Sequence, residues 1–163
     1  MGNNRLYIQN DTKIASSWKT IPQNCASYVF DIEDFKSEVY AFQYRIGGAS
    51  SYVSKTPDFN TSKQIFLTTP SEQIRDAYND NDKRLFIATA DEKNAGRLYV
   101  TEDMSTFKLV AEDSKNGFRS ITKYKGTYVA GLSGDGEILY RSENGTDWLK
   151  TAAPYTTQTN KII

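Results

Sequence analysis

No histidine occurs anywhere in the 163 residues, and cysteine appears once, at Cys25. The first absence removes the usual general base near neutral pH, the usual activator of a nucleophile and the commonest metal ligand. The second rules out an intrachain disulfide and a cysteine cluster for zinc or iron–sulfur. Cys25 itself reads as a small apolar filler, since no histidine is present to activate it. An excess of charge is missing too: twenty basic and twenty acidic residues give zero formal net charge. The two signs are interspersed, so neither a nucleic-acid footprint nor a trap for acidic ligands is expected. No apolar run approaches the ~18 residues that span a bilayer, so no membrane span is expected. The opening Met1-Gly2-Asn3-Asn4-Arg5-Leu6 lacks the apolar stretch of a secretory signal, and Leu6 stands where myristoylation wants Ser or Thr. The sequence reads as one made in a cytosol and not processed, with the final compartment unknown.

What the chain does have is aromatic residues. Hydrophobic residues make up only 38% and mean hydropathy is −0.62, but eleven Tyr and eight Phe compensate, because a large ring buries ~150–250 Å². A core of Tyr, Phe, Val and Ile favours sheet over helix. The length suits one ordinary domain, and the expected class is all-β.

A tyrosine-led phrase then recurs four times. It reads Arg5-Leu6-Tyr7-Ile8-Gln9-Asn10, Ser51-Tyr52-Val53-Ser54-Lys55-Thr56, Arg97-Leu98-Tyr99-Val100-Thr101-Glu102-Asp103 and Ile138-Leu139-Tyr140-Arg141-Ser142-Glu143-Asn144. The tyrosines are 45, 47 and 41 residues apart, and a period of ~40–45 with several short strands per unit marks a β-propeller blade. The clearest unit sets the register, with strands at 117–124, 127–131, 137–141 and 147–151 separated by Lys125-Gly126, Ser133-Gly134-Asp135-Gly136 and a turn at 142–145. The expected organisation is a half blade at 5–21, blades at 27–69, 73–112 and 117–152, and a tail at 153–163. That makes about three and a half blades of four-stranded antiparallel sheet. Second strands align as Val39-Tyr40-Ala41, Phe86-Ile87-Ala88 and Tyr128-Val129-Ala130, putting a small residue where blades converge.

The turn between third and fourth strands carries a polar pattern. Its best copy is Ser142-Glu143-Asn144-Gly145-Thr146-Asp147-Trp148, followed by Thr101-Glu102-Asp103-Met104-Ser105-Thr106-Phe107 and Ser54-Lys55-Thr56-Pro57-Asp58-Phe59, with Asn10-Asp11-Thr12 ahead of Trp18. This resembles the Asp-box, or BNR repeat, Ser/Thr-x-Asp-x-Gly-x-x-Trp, of sialidases, photosystem-assembly propellers and phage or surface propellers; here Asn144 replaces the usual Asp. Hydroxyl and Asx side chains accept from turn amides that the sheet leaves unpaired, glycine supplies positive φ, and the ring packs over the turn. The resemblance implies a structural role, away from any central site, for Ser142, Asn144, Gly145, Trp148, Thr101, Asp103 and Phe107. It also implies what a sialidase-like enzyme needs: an arginine cluster, a Tyr–Glu nucleophile pair and an acid/base Asp. Arg45, Arg75, Arg84, Arg97, Arg119 and Arg141 are scattered instead.

No catalytic residue, metal ligand or cofactor is assigned, and the chain is read as non-enzymatic. Asn79-Asp80-Asn81-Asp82 lacks EF-hand spacing and reads as a hairpin turn, while Ser133–Gly136 is no phosphate loop. Asn10, Asn60 and Asn144 match the glycosylation pattern but fall in turns. The expected binding surface is the loops between second and third strands, with Arg45, Ser50, Asp91, Asn94 and Asp135 as candidates. The half blade calls for completion by the chain's own tail, by a second copy in a homo-oligomer, or by another protein. The expected function is a binding or assembly module, with a virion part such as a phage tail or receptor-binding component suggested by the Asn-, Lys-, Tyr- and Thr-rich composition. The alternative is a glycan-binding or sialidase-like fragment.

Overall fold

The computed structural model describes residues 5–9, 18–22, 27–45, 50–56, 63–91, 93, 95–133 and 138–152. Among them the chain is all β, with no helix. A two-stranded sheet comprises β1 (Arg5–Gln9) and β2 (Trp18–Pro22). The first four-stranded sheet holds β3 (Ser27–Phe35), β4 (Glu38–Arg45), β5 (Tyr52–Lys55) and β6 (Lys63–Leu67). The second holds β7 (Gln73–Asp80), β8 (Arg84–Ala90), β9 (Gly96–Thr101) and β10 (Lys108–Asp113). The third holds β11 (Phe118–Tyr124), β12 (Thr127–Leu132), β13 (Ile138–Ser142) and β14 (Leu149–Ala152). Every pairing is antiparallel between sequence neighbours, and each sheet is open, its outer members paired on one side only.

Turn chemistry and one repeated irregularity give the three sheets a common frame. Their first hairpins turn through positive φ at Lys36 and Ser37 (53° and 61°), Asn81 and Asp82 (49° and 60°), and Lys125 and Gly126 (46° and 88°). That backbone twist matches the strands it joins. The first strand of each sheet also carries one β-bulge, at residue 30, 75 or 119, always five residues before the strand ends. Counting from the bulge, Tyr40, Phe86 and Val129 are equivalent, as are Ala41, Ile87 and Ala130, then Phe42, Ala88 and Gly131.

The structure corrects four readings of the sequence. Ala88 does not share a slot with Ala41 and Ala130; the second sheet puts Ile87 there. Tyr99 and Tyr140 are equivalent, but their counterpart in the first sheet is Ser54, with Tyr52 two residues away. Thr56, rather than Ser54, therefore stands in the register of Thr101 and Ser142, so Thr56-Pro57-Asp58 is the copy that reads like Thr101-Glu102-Asp103; residues 57–60 lie outside the described residues. Asp80, expected in a turn, ends β7 and is buried.

Period-two alternation explains the packing. On β8, Leu85 and Ile87 face the first sheet, in a core with Phe35, Tyr40, Phe42, Val53 and Met104. Phe86 and Ala88 face the third, in a core with Leu98, Phe118, Ile121, Tyr128 and Tyr140. The second sheet is thus buried on both faces, and β3 lies beside β7, which lies beside β11. Rings bridge the sheets edge to face: Phe66 to Tyr99 at 5.2 Å and Phe86 to Trp148 at 6.1 Å.

Candidate functional site

At one end of the sheets sit the two described box turns, and they are built alike. In the third sheet, Ser142 Oγ accepts from the Gly145 amide (2.8 Å), and Asn144 Oδ1 accepts from the amides of Thr146 and Asp147 (both 2.9 Å). In the second sheet, Thr101 Oγ1 accepts from the Met104 amide (2.9 Å), and Asp103 Oδ1 from Ser105 and Thr106 (both 2.8 Å). The amides of Thr106 and Ser105 hold the Asp103 carboxyl down at about 2. Each turn is fastened to the preceding sheet by a cation on one of its carbonyls: Arg84 Nη1 donates to Asn144 O (2.5 Å) and Lys36 Nζ to Glu102 O (2.6 Å). Trp148 donates to Gly145 O (3.2 Å) and packs on Phe86 and Tyr128. Phe107 packs on Phe66 at 4.3 Å.

The opposite end is held by buried carboxylates in the links between sheets. Glu72, only 1% exposed, accepts from Thr69 N (3.1 Å), Thr69 Oγ1 (2.6 Å), Thr89 Oγ1 (2.5 Å), Arg97 Nη1 (3.2 Å) and Tyr99 OH (3.3 Å). Asp113, the last residue of β10, does the same at the next link, accepting from the amides of Lys115 and Asn116, Tyr140 OH (3.2 Å) and Lys150 Nζ (2.5 Å). The recurring tyrosine thus hooks the link that precedes its own sheet. Burial and the adjacent carboxylate push Tyr99 and Tyr140 up to about 12. At the box-turn end, Asp80 forms a third buried centre with Lys123 and Tyr128. Burial opposes its charge, but Tyr128 and Lys123 donate to it and keep its carboxyl below the ordinary value.

The loops expected to bind are only partly visible. Asn94 and Asp135 lie outside the described residues, as does the Arg45 side chain. Ser50 is half-buried. Asp91 closes its own loop, accepting from the amides of Lys93 and Ala95 (both 2.8 Å). Ser133 Oγ is bonded to the backbone of Gly117. There is no room for a side chain at Gly96, where a Cβ would sit 2.5 Å from Phe118 N. Of these loop contacts, the close approach of Gly96 to Phe118 is the one that joins the second sheet to the third.

Sequence reading missed two features. One is the flank of the first strands. Asp76, just after the β7 bulge, accepts from the Ile121 amide of β11 (2.8 Å). Glu33, on β3, has its carboxyl pushed up to about 7 by burial, then by Asp31 and Asp76. The second is the outer face of the third sheet. There Val129 and Leu139 are half-buried, and Arg141 and Leu149 are exposed. A groove of about 290 Å³ opens at its box-turn end, lined by Thr127, Arg141, Glu143, Asp147 and Leu149. Only the bulges and the strand order disclose this face, and neither is visible in a single sequence.

The Tyr99–Glu72 contact is buried in a link between sheets, with Glu72 only 1% exposed. Among the described residues no group of three or more His, Cys, Asp or Glu is placed to hold a metal ion, and no helix is long and apolar enough to cross a membrane. The chemistry among the described residues is that of neutralised buried charges, with one sheet face that no other described sheet covers. No protein-family model matches this sequence, and no curated protein matches it either.

Proposed function

We propose that this chain is a partial β-propeller of the Asp-box kind that works as a non-enzymatic assembly module, completing its ring by association with a second copy. The observation that carries the reading is the asymmetry of the stack: the second sheet is buried on both faces, while the third ends in a face that no other described sheet covers. The side-by-side order of β3, β7 and β11 and the identical hydrogen bonding of the two box turns support blades arranged about an axis. An open stack of this kind exposes sheet surface that natural proteins close or cover. The sialidase-like alternative is not preferred, because Arg84 and Arg97 are engaged at opposite ends of the second sheet rather than converging.

The test is solution mass by light scattering across a concentration series. The reading predicts a dimer or larger closed assembly. A species of 18.4 kDa at every concentration would overturn it.

A further inference from the structure

Asparagine is followed by glycine twice in the sequence, at Asn116-Gly117 and Asn144-Gly145. Such a step is chemically labile. The glycine amide nitrogen, once it has lost its proton, attacks the asparagine Cγ; ammonia leaves and a cyclic imide forms. Water then opens the imide to aspartate, or to isoaspartate, whose main chain runs through the former side chain. Glycine makes the attack easy because no side chain crowds its nitrogen.

The fold treats both steps alike. The Gly117 amide donates to Ser133 Oγ (3.0 Å) and the Gly145 amide to Ser142 Oγ (2.8 Å), and both glycines are buried. The proton that must leave is therefore held by a serine hydroxyl and screened from hydroxide. The asparagine side chains are held as well. Asn144 Oδ1 accepts from the amides of Thr146 and Asp147, and its Nδ2 donates to Asp147 Oδ2 (2.7 Å). Asn116 Nδ2 donates to Asp113 Oδ1 (3.3 Å). Packing demands the glycines: an added Cβ at Gly117 would collide with Ala90, and one at Gly145 would sit 2.8 Å from Phe86 Cζ. Each asparagine gives an N–H to a carboxylate that an aspartate in its place would repel. In the second sheet's box, where Asp103 is the acceptor, Thr106 stands at the position of Asp147.

From these contacts we infer that Asn116 and Asn144 are deamidation sites latched by the fold, with Ser133 and Ser142 as the latches, and that opening a latch exposes the third sheet to irreversible modification. The acid product turns each N–H-to-carboxylate contact into two facing carboxylates. At Asn116 the partner is Asp113, only 4% exposed, at the link that leads into β11. Isoaspartate lengthens the main chain where Gly117 lies tightly against Ala90. Neither latch depends on how the ring is completed.

The test follows loss of ammonia by peptide mass mapping while the full chain is held at mildly alkaline pH, with the chain unfolded in guanidinium chloride as reference. Folded wild type is expected to deamidate at both sites at least about tenfold more slowly than the unfolded chain, the effect of a turn held by several hydrogen bonds; equal rates would overturn the inference. Ser133→Ala is expected to speed modification of Asn116 by about threefold to tenfold, the range of one hydrogen bond, and to leave Asn144 at its wild-type rate. Ser142→Ala should do the reverse. Unchanged rates would remove the serines as latches, and so would equal acceleration of both sites by either variant, which reports general loosening of the fold. Ser142→Thr is expected to keep Asn144 protected, since Thr101 Oγ1 makes the same contact with the Met104 amide (2.9 Å); rapid modification there would count against the hydroxyl. If an alanine variant does not fold, hydrogen exchange on the wild type decides. The Gly117 and Gly145 amides are expected to exchange slowly, and exchange at the rate of a free peptide would refute the latches. Asn116→Asp, which copies the acid product beside buried Asp113, should lower the melting temperature more than Asn144→Asp beside exposed Asp147. The opposite order would contradict the charge contacts assigned to the products.

Discussion

The same face of the second and third sheets is built on one frame and has two fates. On the second sheet, Phe86, Ala88, Leu98 and Val100 are buried against the third sheet. On the third, the same positions hold Val129, Gly131, Leu139 and Arg141, and the face grows smaller, more polar and partly open. Frame and hydrogen bonding are shared, so what differs is the neighbour. A sheet face of this repeat is completed by what packs on it rather than by its own strand.

The largest expected effect is at the covered face. Phe86→Ala should lower stability by about 3–5 kcal/mol, the range for truncating a fully buried ring, whereas Val129→Ala at the equivalent position should stay within about 1 kcal/mol in the monomer. Urea unfolding of both variants checks this, and equal losses would break the comparison. The box turns offer a smaller contrast. Gly145 sits at φ +77°, with an added Cβ 2.8 Å from Phe86 Cζ, whereas Met104 accepts φ +58° at the matching place in the second sheet. Gly145→Ala should cost about 1–3 kcal/mol, chiefly through the clash, since Met104 shows that the angle itself is tolerated.

Two titrations come next. Glu33 holds its proton more tightly in the folded chain, at about 7 against an ordinary 4.5. Its favourable contribution is therefore complete below about 4.5 and disappears as pH rises through about 7. Glu33→Gln should remove that decline, so the melting temperature of the variant should gain on wild type between pH 4.5 and 7; parallel curves would refute it. Asp103 runs the other way, held at about 2 against 3.8. Its contribution is complete above about 3.8 and is lost as pH falls through about 2. Asp103→Asn should flatten this acid limb with the fold intact, because Asn144 makes the same two amide contacts in the neighbouring turn; a collapsed far-ultraviolet spectrum at neutral pH would contradict the equivalence of the turns.

Aromatic content, alternation and turn residues were enough to place most of the strands, and the resemblance to the Asp-box singled out Ser142 and Asn144 as turn residues. The first hairpin was harder, because Lys36-Ser37 turns through positive φ with neither glycine nor asparagine to mark it. Tyr52 looked like a counterpart of Tyr99, yet register is fixed by bulges and turn lengths, which leave no residue-type signature. The buried carboxylates Glu72 and Asp113 were illegible for a related reason: a link residue becomes a hub only when Tyr99 or Tyr140 reaches it from a distant strand. The open face of the third sheet is a relation between sheets, so it too lay beyond reading along the chain.

The central claim is tested most directly by the crystal structure of whatever species light scattering identifies as assembled. The account predicts a closed ring with β3, β7 and β11 of both copies around a shared axis. Copies joined through the rim strands β6, β10 or β14, with no axis common to their sheets, would contradict it.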